Sequence, residues 1–231
     1  MIQLITFDLD DTLWDVRPAL IRGEQAQNTW LEQHYPQAMA GMDDATLLAR
    51  KRALIEAEPQ LKHHISQFRK SFIAGLLTDI GIGQPEAEHA AEQAFQRFMA
   101  HRLDVDIFPE TLAALDALKP QYRLASLTNG NADVGQTALG PYFEFQLRAE
   151  QVGAAKPDPA LFLEVMRQAG VTAHQAVHVG DSYAHDIVGA HNAGIRAVWL
   201  TQDNTDPGLA SVVIEDIGEL PQAIASLECQ D

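Results

Sequence analysis

The chain has 231 residues, 46% of them apolar, which suits one large domain or a domain with an insert and excludes a disordered chain. Its net charge of −16, from 16 basic and 32 acidic residues, excludes the basic footprint of a nucleic-acid binder and requires that any anionic ligand meet locally supplied positive charge. No apolar run approaches the roughly 18 residues of a membrane span, the start lacks a basic leader, and the single cysteine, Cys229, excludes a disulfide framework, so a cytoplasmic protein without a membrane partner is expected.

Residues 2–7 form a short, nearly continuous apolar run, which predicts a strand buried on both faces. It ends abruptly in Asp8-Leu9-Asp10-Asp11. The interval 15–105 holds no convincing strand but several helical patterns. Phe68, Phe72, Leu76 and Ile80 recur every four residues, and Ala87, Ala91, Ala94, Phe95, Phe98 and Arg102 mark one face of a second stretch. Such a length far exceeds a βαβ crossover and predicts an inserted helical domain. Alternation then resumes. A helix is predicted over 109–118 and a strand over 122–127. Asp158 and Pro159 suit the N-cap and first position of a helix that stops at Gly170. A strand at 176–179, a helix over 183–193 ended by Gly194, a strand at 195–200 and a weaker one at 211–214 complete the series. The fold class predicted is α/β: a doubly wound parallel sheet of Rossmann-like type from residues 1–14 and 106–231, with a helical insert at 15–105.

Open α/β sheets bind ligands beyond the carboxyl ends of their strands. Those ends carry Asp8 and Asp10, then Thr128-Asn129-Gly130, then Gly180-Asp181, and Lys156-Pro157 enters a helix from the same side. Each piece has an ordinary reading: an Asx turn at Asp8, a hairpin dipeptide at Asn129-Gly130, a solvated lysine at 156, first-turn dipole compensation at Asp186. Their conjunction at successive strand ends points instead to one site. Strand alternation lets Asp8 and Asp10 share a side, with Leu9 and Asp11 turned away. Asp8, Asp10, Asp181 and Asp186 against Lys156 leave a formal charge of about −3, which calls for a cation. An all-oxygen set suits Mg²⁺, whereas zinc would prefer His or Cys, and the nine histidines hold no HExxH spacing. Once the charge is lowered, Lys156, Thr128 and backbone N–H groups near Asn129 and Gly130 could hold a phosphate dianion. One carboxylate could then act as nucleophile and a second as general acid and base.

The set Asp8-Leu9-Asp10-Asp11-Thr12, Thr128-Asn129-Gly130, Lys156-Pro157 and Gly180-Asp181-Ser182 through Asp186 resembles the four motifs of the haloacid dehalogenase superfamily. The resemblance implies that Asp8 is nucleophile and magnesium ligand. It implies that Asp10 is the acid/base and coordinates through its carbonyl, that Thr128 and Lys156 hold phosphate, and that Asp181 and Asp186 complete the metal site. It makes the insert a cap that closes on a substrate, with hinges near Asp15 and residues 104–106. Dehalogenases of that superfamily lack an acid two residues after the nucleophile, so Asp10 favours phosphoryl chemistry. The stretches FDLDDTLWDVRPAL, AEPQLKHHISQFRKSF, TNGNADV and PYFEFQLRAEQVGAAKPDP are similar to bacterial flavin mononucleotide (FMN) phosphatases, whose relatives act on 5-amino-6-(5-phosphoribitylamino)uracil. On that resemblance the partner is a phosphorylated small molecule, with Trp14, His63, His64, Phe68 and Arg69 as candidate ring-pocket residues; the plainer reading makes Phe68 helix core and the others solvated. Three alternatives share the chemistry: a broad sugar-phosphate or nucleotide phosphatase, a phosphomutase, and a non-enzymatic phospho-acceptor regulator. A receiver needs neither a 90-residue insert nor Asp10. A monomer or homodimer is expected.

Overall fold

The computed structural model describes residues 1–203 and 206–229. The chain divides into two compact units, Met1–Val16 with Asp106–Asp231, and Arg17–Val105. Among the described residues the first holds the strands β1 (Leu4–Phe7), β2 (Trp14–Asp15), β3 (Asp106–Ile107), β4 (Arg123–Thr128), β5 (Phe145–Arg148), β6 (Ala176–Gly180), β7 (Arg196–Leu200) and β8 (Val212–Ile214). Six form one sheet in the order β5-β4-β1-β6-β7-β8. Every neighbouring pair in it is parallel. All four residues of β1 are buried, as befits the middle of a parallel sheet covered on both faces. β1 lies between β4 and β6, with the strand order running outward to β5 on one side and to β7 and β8 on the other, which makes its carboxyl end the topological switch point of the fold.

The predicted strands are present with bounds shifted by one or two residues. β5 lies outside that set. It is a four-residue edge strand, and only Leu147 on it is buried, so its sequence carries little hydrophobic signal. β2 and β3 pair antiparallel as a ribbon of two rungs, Trp14 with Ile107 and Asp15 with Asp106.

The second unit is helical: α1 (Arg17–His34), α2 (Pro36–Met39), α3 (Asp44–Ala57), α4 (Ile65–Asp79) and α5 (Gln84–Arg102). Its core joins Trp30, Leu31, Ile73 and Leu77 to the alanine face of α5, Ala87, Ala90, Ala91 and Ala94. Small residues bring the helices close. A Cβ on Gly23 of α1 would lie 2.8 Å from Phe98 Cδ2 of α5, so the missing side chain sets that spacing. The four-residue stripe on α4 is only partly core. Leu76 is buried, whereas Phe68 and Phe72 stay half-exposed, because a repeat of four drifts off a face that turns every 3.6 residues. These two rings help line a cavity of about 320 Å³ within the unit, beside Leu31, Leu47 and Arg69.

The core unit adds α6 (Thr111–Leu118), α7 (Ala149–Val152), α8 (Ala160–Ala169), α9 (Val188–Asn192) and α10 (Leu220–Glu228). The Asp158 carboxylate accepts from Ala160 N–H at 2.9 Å, the capping contact that Pro159 prepares. Gly170 closes α8 in the left-handed region at φ 67°. From α8, Leu161, Phe162 and Val165 pack under β4 and β6 with Leu127 and Ile187. Burying a side chain such as Phe162 contributes about 2–3 kcal/mol. The helix predicted over 183–193 is instead a π-helical turn, Tyr183–Ile187, followed by α9. Among the described residues no helix is long and apolar enough to cross a membrane.

Candidate active site

The ladder of β1 extends one residue past its end, since Asp8 N–H donates to Val179 O at 2.9 Å. The chain then folds on itself. Thr12 N–H and Leu13 N–H both donate to Leu9 O, and Leu9 is fully buried. Asp11 sits in the left-handed region at φ 59°, a conformation that Asp tolerates better than most residues. Its carboxylate accepts from Val16 N–H at 3.3 Å, outside the group of acids. Asp8 and Asp10 thus point to one concave surface while Asp11 does not, but a tight turn, rather than continued alternation, produces the separation.

Trp14 has another part than the one proposed for it. It is fully buried, so it cannot line a ring pocket, and its indole N–H donates to Asp10 Oδ1 at 2.9 Å. Trp14→Phe is expected to lower turnover about tenfold by releasing Asp10, while unfolding free energy falls only by about 1–2 kcal/mol. Steady-state kinetics beside urea titration check this, and unchanged turnover would remove Trp14 from the site.

Lys156 reaches the same surface from the segment before α8. Its ammonium has three hydrogens, and all three are engaged: with Asp8 Oδ1 at 2.5 Å, Asp186 Oδ1 at 2.6 Å and Leu127 O at 2.8 Å. Asn129 fixes the backbone there by a reciprocal pair, its amide donating to Lys156 O at 3.0 Å and its Oδ1 accepting from Lys156 N–H at 2.8 Å. Gly130 N–H donates to Thr128 Oγ1 at 2.9 Å. Asn129 and Gly130 therefore organise the loop in this structure, and an incoming phosphate must compete for the lysine hydrogens.

The π turn after β6 delivers the other acids. Asp186 folds back so that its Oδ2 accepts from Ser182 N–H at 3.0 Å. A Cβ at position 180 would stand 2.3 Å from Asp186 Cγ, which makes glycine obligatory beneath that carboxylate. Asp181 is held by Thr12, whose hydroxyl donates to Asp181 Oδ1 at 3.0 Å and accepts from Asp181 N–H at 3.1 Å. Trp199 on β7 donates its indole N–H to Asp181 O at 2.8 Å. His178 on β6, fully buried, places Nε2 3.1 Å from Asp186 Oδ1. The sequence motifs assign no role to Thr12, Trp199 and His178. The available signal was polar residues inside buried runs, which cost free energy unless they have partners.

One cavity of about 180 Å³ is lined by Asp8, Asp10, Thr128, Asn129, Gly130, Lys156, Asp181 and Asp186, with Ser182 and His185. It therefore brings together the four acids, Thr128, Asn129, Gly130 and Lys156 named as candidate site residues, while Gly180 and Pro157 stand outside its lining. Carboxylate oxygens of Asp8, Asp181 and Asp186 lie within 4.8 Å of one another. Each such pair, if both members were charged, would cost at least about 3.5 kcal/mol at an effective dielectric of 20. Burial raises the Asp8 carboxyl well above the ordinary range, Lys156 opposes the rise, and the charges of Asp186 and Asp10 add to it. Burial also raises Asp181, helped by Asp186. Asp186 moves the other way: burial would raise it, but Lys156 and His178 hold it below the carboxylate range. Lys156 itself stays charged, because Asp186 and Asp8 outweigh the desolvation that would lower it. One lysine thus satisfies one acid and leaves two short of positive charge. The donor set is all oxygen, so these three carboxylates fit a hard divalent ion. The Asp10 carboxylate is turned to Trp14 instead.

A family model described as haloacid dehalogenase-like hydrolase matches residues 2–194. The chain belongs to the haloacid dehalogenase-like hydrolase family. It is 34% identical over 205 residues to 5-amino-6-(5-phospho-D-ribitylamino)uracil phosphatase YigB of Escherichia coli K12, across 89% of this chain and 86% of that protein. It is 31% identical over 236 residues to a phosphoglycolate phosphatase of Pseudomonas putida, across 94% and 78% of the two chains. Within the family it is an enzyme of the phosphoric monoester hydrolase type. A crystal structure of a 2-haloacid dehalogenase from Pseudomonas syringae pv. Tomato DC3000 superposes with a TM-score of 0.90 at 40% identity, covering 98% of this chain and 99% of that one.

Proposed function

We propose that the protein is a Mg²⁺-dependent phosphomonoesterase that works through an aspartyl-phosphate on Asp8 and acts on FMN or on 5-amino-6-(5-phosphoribitylamino)uracil. The observation that carries this reading is the cluster of Asp8, Asp181 and Asp186 around a single lysine, with Asp10 held beside it. Bound Mg²⁺ would neutralise the acids and the phosphoryl oxygens. Asp8, 8% exposed and in contact with Lys156, attacks phosphorus, and the P–O bond to the leaving alcohol breaks. Asp10 protonates that alcohol and then takes a proton from the water that hydrolyses the acyl phosphate, regenerating Asp8. Trp14 keeps Asp10 aimed through both steps. Thr128 and Lys156 hold the phosphoryl group, Lys156 turning a hydrogen from carboxylate to phosphate.

The cavity at the acids has room for a phosphoryl group and an ion but is smaller than a pocket for a whole cofactor-sized ligand. The remainder of the substrate must be recognised elsewhere, and the helical unit is proposed as the cap that does so. The YigB relative supports the ribityl phosphate class. A cytoplasmic monomer or homodimer fits this role.

The dehalogenase structure favours a second reading, hydrolysis of a 2-haloacid. Asp10 and the cation-demanding cluster weigh against it. A release screen decides: with Mg²⁺, FMN and ribityl phosphates are expected to exceed nucleotides and simple sugar phosphates at least about tenfold in kcat/KM. A flat profile would leave a broad phosphatase, and chloride release from a 2-chloroacid without phosphate release would overturn the proposal. Mg²⁺ at 100 times its Kd is also expected to stabilise the protein by about 2.7 kcal/mol, raising the melting temperature by roughly 5–10 °C, with EDTA reversing the shift.

A further inference from the structure

Two polar side chains lie deep in the central strands β1 and β6, which are otherwise apolar. Thr6 on β1 and His178 on β6 face one another in register, and both are fully buried. Neither lines the cavity at the acids. The His178 ring bridges from one to the other: Nδ1 is 2.9 Å from Thr6 Oγ1, and Nε2 is 3.1 Å from Asp186 Oδ1. A carboxylate only accepts, so Nε2 carries a hydrogen and donates to Asp186. The Thr6 hydroxyl, within reach of both Nδ1 and Val177 O at 3.2 Å, anchors the other side of the ring. The Phe162 ring packs edge-on at 4.9 Å between centroids and holds the imidazole in that plane.

The effect on Asp186 is specific. Its Oδ1 is gripped by two donors, Lys156 Nζ at 2.6 Å and His178 Nε2, while its Oδ2 accepts from Ser182 N–H at 3.0 Å. A carboxylate has about four lone-pair positions, and these contacts take three, leaving one on Oδ2. We propose that His178 is a positioning residue of the metal site, one that fixes the rotation of the Asp186 carboxylate so that Oδ2 alone is presented to a divalent cation. This rests on the Mg²⁺ reading above. Without the Nε2–H donor, Asp186 could swing Oδ1 toward the cation and weaken its grip on Lys156.

The test is Mg²⁺ binding to the full chain by titration calorimetry without substrate, repeated with Mn²⁺ by paramagnetic resonance. His178→Leu is expected to raise Kd about 10–100-fold, the usual cost of losing a hydrogen-bond partner behind a ligand. His178→Gln, whose amide can supply the same donor, is expected to stay within about threefold of the unaltered protein. Thr6→Val should fall between them. At saturating Mg²⁺ the KM for FMN should be unchanged in all three. His178→Leu binding as tightly as the unaltered chain, or His178→Gln binding as weakly as His178→Leu, overturns the assignment. Should His178→Leu fail to fold, His178→Asn replaces it, since its shorter amide cannot reach Asp186; equal binding by the Asn and Gln variants is then the overturning result. An unaltered protein that binds no Mg²⁺ sinks both this assignment and the functional reading, whereas normal binding with indifferent variants sinks this one alone.

Discussion

Asp8→Asn is expected to fold normally and to release phosphate at least about 10⁴-fold more slowly than the unaltered enzyme. The amide has the shape of the carboxylate and its oxygen can still accept from Lys156, so the contact at 2.5 Å is kept in kind. What disappears is the nucleophile. The substitution also removes a charge from a crowded place: burial raises the Asp8 carboxyl, and Asp186 and Asp10 add to it. Melting in EDTA should therefore be equal to or higher than that of the unaltered protein, while stabilisation by Mg²⁺ shrinks because a ligand has lost its charge. Turnover within tenfold of normal would exclude Asp8 as the attacking group. The pairing of a stable fold with a dead enzyme separates a chemical role from a structural one.

Lys156→Ala should do the opposite and damage the fold as much as the chemistry. The Lys156 and Asp186 side chains are each 1% exposed, and Lys156 is the shared partner of Asp186 and Asp8. Removing one member of a buried ion pair leaves uncompensated charge and costs about 3–5 kcal/mol. That loss should appear in urea unfolding with EDTA present and be partly recovered by Mg²⁺, which would supply charge to the same carboxylates. Activity should not recover, since nothing replaces the ammonium on the phosphoryl group. Adding Asp8→Asn to Lys156→Ala should restore part of the stability, because one of the stranded charges goes. A destabilisation below about 1 kcal/mol would mean that water screens the cluster and that the lysine matters only for substrate.

The difference between these two substitutions was only half legible in the sequence. Strand ends collect polar residues in an open parallel sheet, so Asp8, Thr128 and Asp181 could be placed together from hydrophobic runs alone. What the runs do not encode is how each acid is held. Asp8 and Asp10 share a side as alternation expects, but Asp11 is set apart by a turn in a left-handed conformation, which no alternation rule predicts. Asp186 reaches its place through a π turn whose sequence reads as ordinary helix, because a turn one residue wider leaves the apolar spacing nearly intact. Thr12 and Trp14 sit within the most suggestive stretch of the chain, yet their hydrogen bonds to Asp181 and Asp10 depend on three-dimensional proximity. β5 is illegible in the sequence for a simpler reason: a short edge strand with one buried residue has almost no pattern. The α4 stripe predicts the helix but not its surroundings: Phe68 and Phe72 help line a cavity, and Phe72 also packs against the core of the unit.

The two-rung ribbon has a bearing on how such a molecule can vary. Asp15 and Asp106 stand opposite one another, so the segment between them leaves and re-enters the core unit at the same rung. Topologically it is one very long hairpin loop, and the entropy of closing a loop grows only slowly with its length. Everything from residue 17 to residue 105 could be lengthened, shortened or exchanged for another fold without shifting the register of any strand in the main sheet. A change of insert would then leave the strand ends that carry the acids where they are, at a cost little greater than the closure of a different loop.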